Sequence, residues 1–403
     1  MSKRFRQRYL KTLLLLLFFS LSITPGAGAS ELSGYLSGES RLFANPPLFT
    51  GQDRHDASAA FQPEFYHEWE GGHSFTAVPF VRLDSADSER THFDIREFFG
   101  LWLFERFEVG VGIRKIFWGV TESQHLVDII NQTDLVESID GEEKLGQPMV
   151  NLSIPHEWGA LDLFILPWFR ERTFPGREGR LRSSLVVDTD QTTYENGAEE
   201  NHIDFAVRYS HTIGDWDIGL SHFRGTGRDP SLLPGTDSGG NPVLLPRYEQ
   251  INQTGIDAQL ITGEWLWKME AIYRSGQGNS FAALTGGFEY TLVGIAGSRM
   301  DLGIISEWLY DDRGDGAPTP FENDIMAGMR LAVNDAEGTE ALLGMIQDIG
   351  SSARFLSLES SRRFGDHLKT SLEIRLFLAQ PPDDLLYDLR DDDLMRIEVA
   401  YYF

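Results

Sequence analysis

The sequence predicts an all-β fold, a transmembrane antiparallel β-barrel of about 18 strands with short periplasmic turns and long extracellular loops. Three observations support this prediction. Apolar and polar side chains alternate along many segments, the candidate strands run for about 10 to 14 residues, and the connections alternate between tight and long. Sixteen strands is the alternative, because the strand pairs around residues 276–280 and 350–352 can be counted differently.

The alternation is clear near the end of the chain. Between residues 368 and 378, Leu372, Ile374 and Leu376 fall on one face of an extended strand. Glu373 and Arg375 fall on the other face, since successive side chains of a strand point to opposite sides. A soluble sandwich alternates too, but its strands usually have about 5 or 6 residues, whereas a tilted strand needs about 10 to cross a bilayer. The strand length therefore favours a barrel in lipid.

The connections between candidate strands fall into two classes. Eight tight turns, most of them with the Gly, Asp or Asn typical of hairpins, are predicted at residues 70–72, 104–106, 157–159, 213–215, 263–264, 295–298, 335–338 and 364–367. Nine longer loops are predicted at residues 45–58, 85–91, 119–147, 172–200, 227–246, 276–280, 311–320, 350–352 and 380–392. This pattern gives an even number of strands with both termini on one side, as expected of a single-chain barrel.

The N-terminal residues 1–29 have the three-part layout of a secretory signal peptide. A head with five Lys and Arg residues precedes the apolar run Leu13–Phe19, and Ala27-Gly28-Ala29 supplies small residues for a signal peptidase. No linker or change of periodicity follows. We therefore expect residues 30–403 to form one outer-membrane barrel.

Composition excludes several classes of function. The formal net charge of −26 becomes about −31 once the five basic residues of the signal are removed. Such an acidic chain is a poor nucleic-acid binder, because phosphate contacts need a basic face. The chain has no cysteine, so no disulfide stabilises it. No phosphate loop, dinucleotide fingerprint or zinc spacing is present, so we expect neither a cofactor nor a metal.

The last predicted strand carries a targeting pattern. Alternate apolar residues lead to Tyr401 and Phe403, which resembles the signal read by the outer-membrane assembly machinery. Together with the export signal, this pattern predicts a location in the bacterial outer membrane. The expected partners are that machinery, periplasmic chaperones, membrane lipid and lipopolysaccharide.

Residues 119–147 form the predicted third outward loop and a candidate constriction. Its apolar residues Leu126, Val127, Ile129 and Ile130 would be hard to leave in water, so we expect the loop to fold into the lumen. Its acidic candidates for the constriction are Glu122, Asp128, Asp134 and Glu137. By strand parity the inward-pointing candidates are Arg82, Arg96, Arg114, Arg170, Arg330 and Arg375, because arginine on a lipid face is costly.

The same region carries a family resemblance. Its two parts are Gly112-Ile-Arg-Lys-Ile-Phe-Trp118-Gly119-Val-Thr-Glu122-Ser and Val127-Asp128-Ile-Ile-Asn131-Gln-Thr-Asp134-Leu135. They resemble an uncharacterised proteobacterial outer-membrane porin-like family that is loosely related to alginate-export porins. Gln132 and Thr133 stand where that family usually has proline. The resemblance covers about forty residues and implies a barrel that passes or exports a hydrophobic or anionic substance.

Three functions follow in order of preference. The first is a porin-like channel for diffusion or export of small, anionic or hydrophobic solutes, with an unknown solute. The alternative is a surface-exposed structural or adhesive barrel without an open pore. An outer-membrane hydrolase is less favoured. The pairs His92/Asp94 and His202/Asp204 have the spacing of a proteolytic pair near predicted outward loops, but such pairs are common in a polar lumen, so we expect no catalytic residues.

Overall fold

The computed structural model describes residues 28–403. The predicted signal peptide lies outside the described residues, except for Gly28 and Ala29, which begin the first strand. No helix in residues 28–403 is both long enough and apolar enough to cross a membrane.

Eighteen antiparallel strands form one closed sheet, which confirms the predicted fold and strand number over the alternative of sixteen. In chain order they are β1 Gly28–Phe43, β2 His55–Trp69, β3 Ser74–Asp84, β4 His92–Leu103, β5 Glu108–Arg114, β6 Gln147–His156, β7 Gly159–Leu166, β9 Asp204–Ile213, β10 Trp216–Thr226, β13 Gln250–Thr262, β14 Trp265–Gly276, β15 Gly278–Leu292, β16 Asp301–Asp311, β17 Asn323–Ala332, β18 Glu340–Asp348, β19 Arg354–Phe364, β20 Leu368–Leu378 and β21 Leu394–Tyr402.

Three further strands, β8 Thr193–Tyr194, β11 Ser231–Thr236 and β12 Pro242–Tyr248, form a small separate sheet in the long loops. The predicted loop 227–246 therefore contains a hairpin that the alternation pattern did not resolve. Short 3₁₀ helices occupy Thr189–Gln191, Glu199–Asn201, Ile295–Gly297, Gly314–Gly316 and Leu385–Leu389.

All eight tight turns and eight of the nine longer connections occur where the sequence predicts them, within about five residues. The β9–β10 and β13–β14 turns each need one residue with a left-handed backbone. Gly214 and Gly263 supply it, each with φ of 62°. The predicted loop 276–280 is only the single residue Gln277 between β14 and β15. We call the two ends of the barrel the turn end and the loop end.

The barrel closes where β1 pairs antiparallel with β21, from Tyr35 opposite Tyr402 to Phe43 opposite Leu394. The backbone N–H of Phe403 donates to the Gly34 carbonyl at 3.1 Å, which continues the ladder by one residue. Because this seam pairs the first and last strands, the sheet has no free edge.

The two faces of the wall differ sharply in chemistry. Exposed apolar side chains cover the outer face, among them Leu36, Phe61, Phe98, Ile165, Leu220, Tyr273, Ile304, Ile325, Leu343 and Val399. Buried charged side chains occupy the inner face, among them Glu39, Arg82, Asp94, Arg96, Asp257, Glu270, Glu307 and Arg375. The alternation of the sequence is therefore apolar outside and polar inside, the reverse of a soluble sandwich.

The close packing of neighbouring strands can be tested by replacing a glycine. A Cβ on Gly287 in β15 would lie 1.9 Å from the carbonyl oxygen of Ser306 in β16, whereas a Cβ on Gly38 in β1 would meet no atom within 4 Å. We expect Gly287→Ala to lower the free energy of unfolding by about 1–3 kcal/mol, because the backbones must move apart. Gly38→Ala is the matched control. Denaturant titrations of both variants in lipid or detergent that gave equal midpoints would contradict this account.

Candidate functional site

Residues 115–146, between β5 and β6, fold into the barrel, and we call this segment the inward loop. The sequence predicts this loop at residues 119–147, so the predicted and observed bounds differ by at most a few residues. Residues of this loop are hydrogen-bonded to strands on opposite sides of the wall: the Glu137 carboxylate accepts from Arg82 of β3, and the Glu122 backbone N–H donates to Glu307 of β16. The loop therefore spans the lumen.

An apolar contact holds one side of the inward loop. Val127, Ile129 and Ile130 are buried to 2% exposure or less. They belong to one cluster with inner-face residues of β4, β6, β7, β9, β10, β13, β14 and β15: Phe99, Met149, Phe164, Leu166, Ala206, Phe223, Ile251, Ile272, Phe281 and Ala283. Removing these side chains from water stabilises the loop in the lumen.

Two wall carboxylates bind the backbone of the loop. Glu270 of β14 accepts hydrogen bonds from the N–H groups of Val120, Thr121 and Val127 at 2.7, 3.0 and 3.1 Å. Glu307 of β16 accepts from the backbone of residues 122 and 123 at 2.8 and 2.9 Å. Loop amides buried in a lumen need partners, and ionised acceptors give strong ones.

Wall arginines bind the acidic side chains of the loop. Arg82 lies 2.8 Å from Glu137, and Arg96 lies 2.7 Å from Asp134. On the other side of the lumen, Arg330 of β17 lies 2.5 Å from Glu122. The structure thus joins three of the arginine candidates to three of the acidic candidates as ion pairs.

Arg375 contacts a different part of the inward loop. Its guanidinium donates to the Ser138 hydroxyl at 3.1 Å and lies 2.5 Å from Asp140. Asp140 was not among the predicted residues, although it lies in the predicted loop. The lumen position of Arg375 follows from strand parity, but its partner depends on how the loop crosses the lumen.

Further arginines bind loop carbonyl groups. Arg41, Arg90 and Arg228 donate to the carbonyl oxygens of residues 137, 136 and 130 at 2.8 to 3.1 Å. Glu39 of β1 lies within 3.0 Å of both Arg41 and Arg90. It therefore balances several of the positive charges that anchor the loop.

Three predicted residues have other contacts. Arg170 pairs with Asp94 at 2.7 Å and donates to the Gly146 carbonyl, so it supports the end of the inward loop. Arg114 lies 4.9 Å from the ring centroid of Phe99. Asp128 accepts from the N–H groups of residues 118 and 119 and so stabilises a turn within the loop.

Glu270 and Glu307 are the main residues that sequence reasoning missed. Both stand at inward parity within strands of alternating character, and both are almost completely buried. The parity argument that selected arginines applies equally to acids, so these two could have been found from the sequence. Their role as acceptors for loop amides could not, because it depends on contacts about 150 or more residues apart in the chain.

His125 joins the inward loop to the wall. Its Nε2 lies 3.0 Å from Glu142 and its Nδ1 lies 3.5 Å from Glu270. Burial alone would lower the pKa of the imidazole, but the two carboxylates outweigh that effect and raise the pKa to about 10. The ring is therefore protonated at neutral pH and acts as a fixed positive charge.

A cavity of about 610 Å³ lies between the inward loop and the wall from β17 to β21. Towards the loop end its wall carries Met326, Ile346 and Phe355. Towards the turn end its wall carries Glu340 and Ser361 among other polar groups. The inward loop thus narrows the lumen without filling it on this side.

Long loops meet at the loop end of the barrel. Residues 167–203 reach across to other loops, where Arg180 pairs with Asp392 at 2.5 Å. Gln52 donates to the Gly179 carbonyl at 2.6 Å. We call these two contacts the mouth latch, because they join three separate loops over one side of the barrel.

The two histidine–aspartate pairs lie in different surroundings. His202 Nδ1 is 2.7 Å from Asp204, but Asp204 also accepts from Thr226 and Arg228 and braces the start of β9. His92 contacts the carbonyl of Arg90. Among residues 28–403, no group of three or more His, Asp and Glu side chains has the arrangement to hold a metal ion.

Neither a scan of protein-family models nor a search of curated proteins finds a match to this chain. Weak similarities exist among solved structures. A variant of the Rhodopseudomonas blastica porin has 12% identity over 93% of this chain and 100% of its own, with a TM-score of 0.42. OmpT, an outer-membrane protein of Vibrio cholerae in its trimer form, has 9% identity over 94% of this chain and 100% of its own, with a TM-score of 0.47. At these values the likeness carries no functional argument, and the relation to alginate-export porins stays a prediction.

Replacing Glu270 tests the attachment of the inward loop. In Glu270→Ala the three amides at residues 120, 121 and 127 lose their acceptor, which costs about 1–3 kcal/mol for buried groups. We expect their hydrogen exchange to accelerate by about tenfold or more. Glu264→Ala, in the exposed turn before β14, is the control. Unchanged exchange at these amides would show that Glu270 does not hold the loop.

The charge on His125 gives a pH test. Because the folded pKa of about 10 lies above the ordinary value of 6.5, its contribution to stability is complete below about pH 6.5 and is lost as the pH rises to 10. An NMR titration of the ring should place its midpoint near pH 10. Glu142→Gln should lower that midpoint, whereas Glu105→Gln in an exposed turn should not. A midpoint below pH 7 in the unmodified protein would refute the ion-pair account.

Proposed function

We propose that this chain is an outer-membrane channel for the passive diffusion of small polar solutes. The observation that carries the proposal is the cavity between the inward loop and the β17–β21 wall. It lies inside a closed barrel whose lumen is otherwise crossed by the inward loop. Solutes would pass beside the loop at its narrowest level.

The outer face of the barrel supports the membrane location. Exposed large apolar side chains surround the wall, including Phe65, Trp102, Trp267, Ile304 and Ile397. A water-soluble monomer rarely exposes so extensive an apolar surface. Membrane lipid would cover this belt, lipopolysaccharide would contact the loop end, and the assembly machinery would read the strand that ends in Phe403.

The lining of the cavity supports polar rather than hydrophobic solutes. Phe355 is the aromatic residue among its lining side chains, and Ser357, Ser360, Ser361 and Ser371 contribute hydroxyl groups. A hydrophobic substrate would leave these hydroxyl groups without water. The hydrophobic substance that the family resemblance implies therefore has no support in this lining.

A closed structural barrel is the second candidate, and the mouth latch is the observation that favours it. Arg180 and Asp392 are each buried, so the contact between their loops is close. A barrel of this kind would present loops at the cell surface and conduct nothing. Conductance distinguishes the two functions.

Single-channel recording in planar bilayers tests the channel. The unmodified protein should open, and Ser361→Trp should lower its conductance, because Ser361 lines the cavity and the indole would occupy part of it. Ser238→Trp, on an exposed extracellular loop, is the matched control and should conduct like the unmodified protein.

Deletion of residues 121–145 provides the complementary measurement. Loss of the inward loop should raise the conductance, whereas deletion of residues 237–240 at the tip of the β11–β12 hairpin should leave it unchanged. If neither the unmodified protein nor the deletion variant opens in bilayers, the channel proposal fails and the structural barrel is favoured.

A further inference from the structure

Acidic side chains outnumber basic side chains around the cavity. Its acidic members are Glu122, Asp140, Glu142, Glu340, Glu359 and Glu373. Its basic members are Arg330, Lys369 and Arg396, together with His125. The carboxylates therefore outnumber the positive groups even with the imidazole protonated.

Most of the positive charge is already engaged by carboxylates. Arg330 lies 2.5 Å from Glu122 and 3.3 Å from Glu289. Arg396 contacts Glu39, Glu373 and Glu398 at 2.8 to 3.0 Å. These guanidinium groups hold the wall and the inward loop together, so little of their field is left for a passing anion.

Two of the carboxylates have a different environment. Glu340 of β18 accepts a hydrogen bond from the Ser361 hydroxyl at 3.0 Å, and Glu359 of β19 accepts from the Ser357 hydroxyl at 3.4 Å. Among residues 28–403 neither carboxylate forms an ion pair. Both are exposed to the lumen. Their negative charges are therefore available to a solute.

The two carboxylates are neighbours on the inner face. In the β18–β19 ladder Glu340 stands opposite Ser361, and Leu342 stands opposite Glu359, so the glutamates are diagonal to each other at the same parity. A pair of unneutralised charges in a narrow space with protein walls concentrates counter-ions. Such charges set ion preference in channels by their field as well as by pore size.

We infer that the channel prefers cations over anions, and that Glu340 and Glu359 set this preference. The inference rests on the proposed channel function and names its solute class: small inorganic cations and small organic cations such as amines. A cation entering the space beside the inward loop meets two carboxylates that form no ion pair among residues 28–403, whereas Lys369 is the one basic cavity residue of that described range without an ion pair. An anion meets the same field with the opposite sign.

Reversal potentials in a potassium chloride gradient across a planar bilayer test the inference. The unmodified channel should be more permeable to potassium than to chloride. In Glu340→Gln/Glu359→Gln the permeability ratio should fall by about twofold or more, because both free charges are removed without a change of size. Glu105→Gln/Glu157→Gln removes two charges from exposed turns and is the matched control, with an expected ratio equal to that of the unmodified channel.

The possible results separate the two proposals. A channel that opens but is non-selective or prefers chloride would overturn the inference and leave the channel function standing. An unchanged ratio in Glu340→Gln/Glu359→Gln would overturn the assignment to these residues. A protein that never opens would overturn the channel function, and the cation preference with it.

Discussion

The pairing of β1 with β21 is the constraint on which the rest of the structure depends. A strand that crosses an apolar layer must place every backbone N–H and C=O in a hydrogen bond within the protein, and only a closed sheet does this for its first and last strands. Once the sheet is closed, each residue faces either outward or inward. The two-residue period of the sequence then decides the chemistry of both faces, with apolar groups such as Val399 outside and charged groups such as Glu39 inside.

A polar inner face creates a second requirement, since charges confined with little water need partners. The inward loop supplies many of them. Its carbonyls accept from Arg90 and Arg228, its acids pair with Arg82, and its amides donate to Glu270. The wall and the loop are therefore complementary: each satisfies polar groups that the other leaves buried. This reciprocity explains why a long segment without regular structure is fixed inside the barrel.

The sequence predicts the strands and turns of the barrel far better than the contacts between side chains in its lumen. Strands and tight turns depend on local period and on turn residues such as Gly214 and Gly263, which are visible within a few positions. Partners in the lumen depend on how a loop crosses a space defined by strands that are distant in the chain. Parity predicts Arg375 on the inner face, but it gives no sign that Asp140 is the residue with which Arg375 pairs. It also did not distinguish Asp128, which stabilises its own loop, from acids that bind the wall.

The position of the remaining space follows from where the wall is apolar on its inner face. From β4 to β15 the inner face offers side chains such as Phe164 and Phe223, and the apolar residues of the inward loop pack there. On β18 to β20 the inner face towards the turn end offers Glu359 and Ser371 instead, against which Val127 and Ile129 would gain nothing. The loop is drawn to one side, and the space is left on the other. The same residues that fail to attract the loop are therefore the residues that a solute would meet.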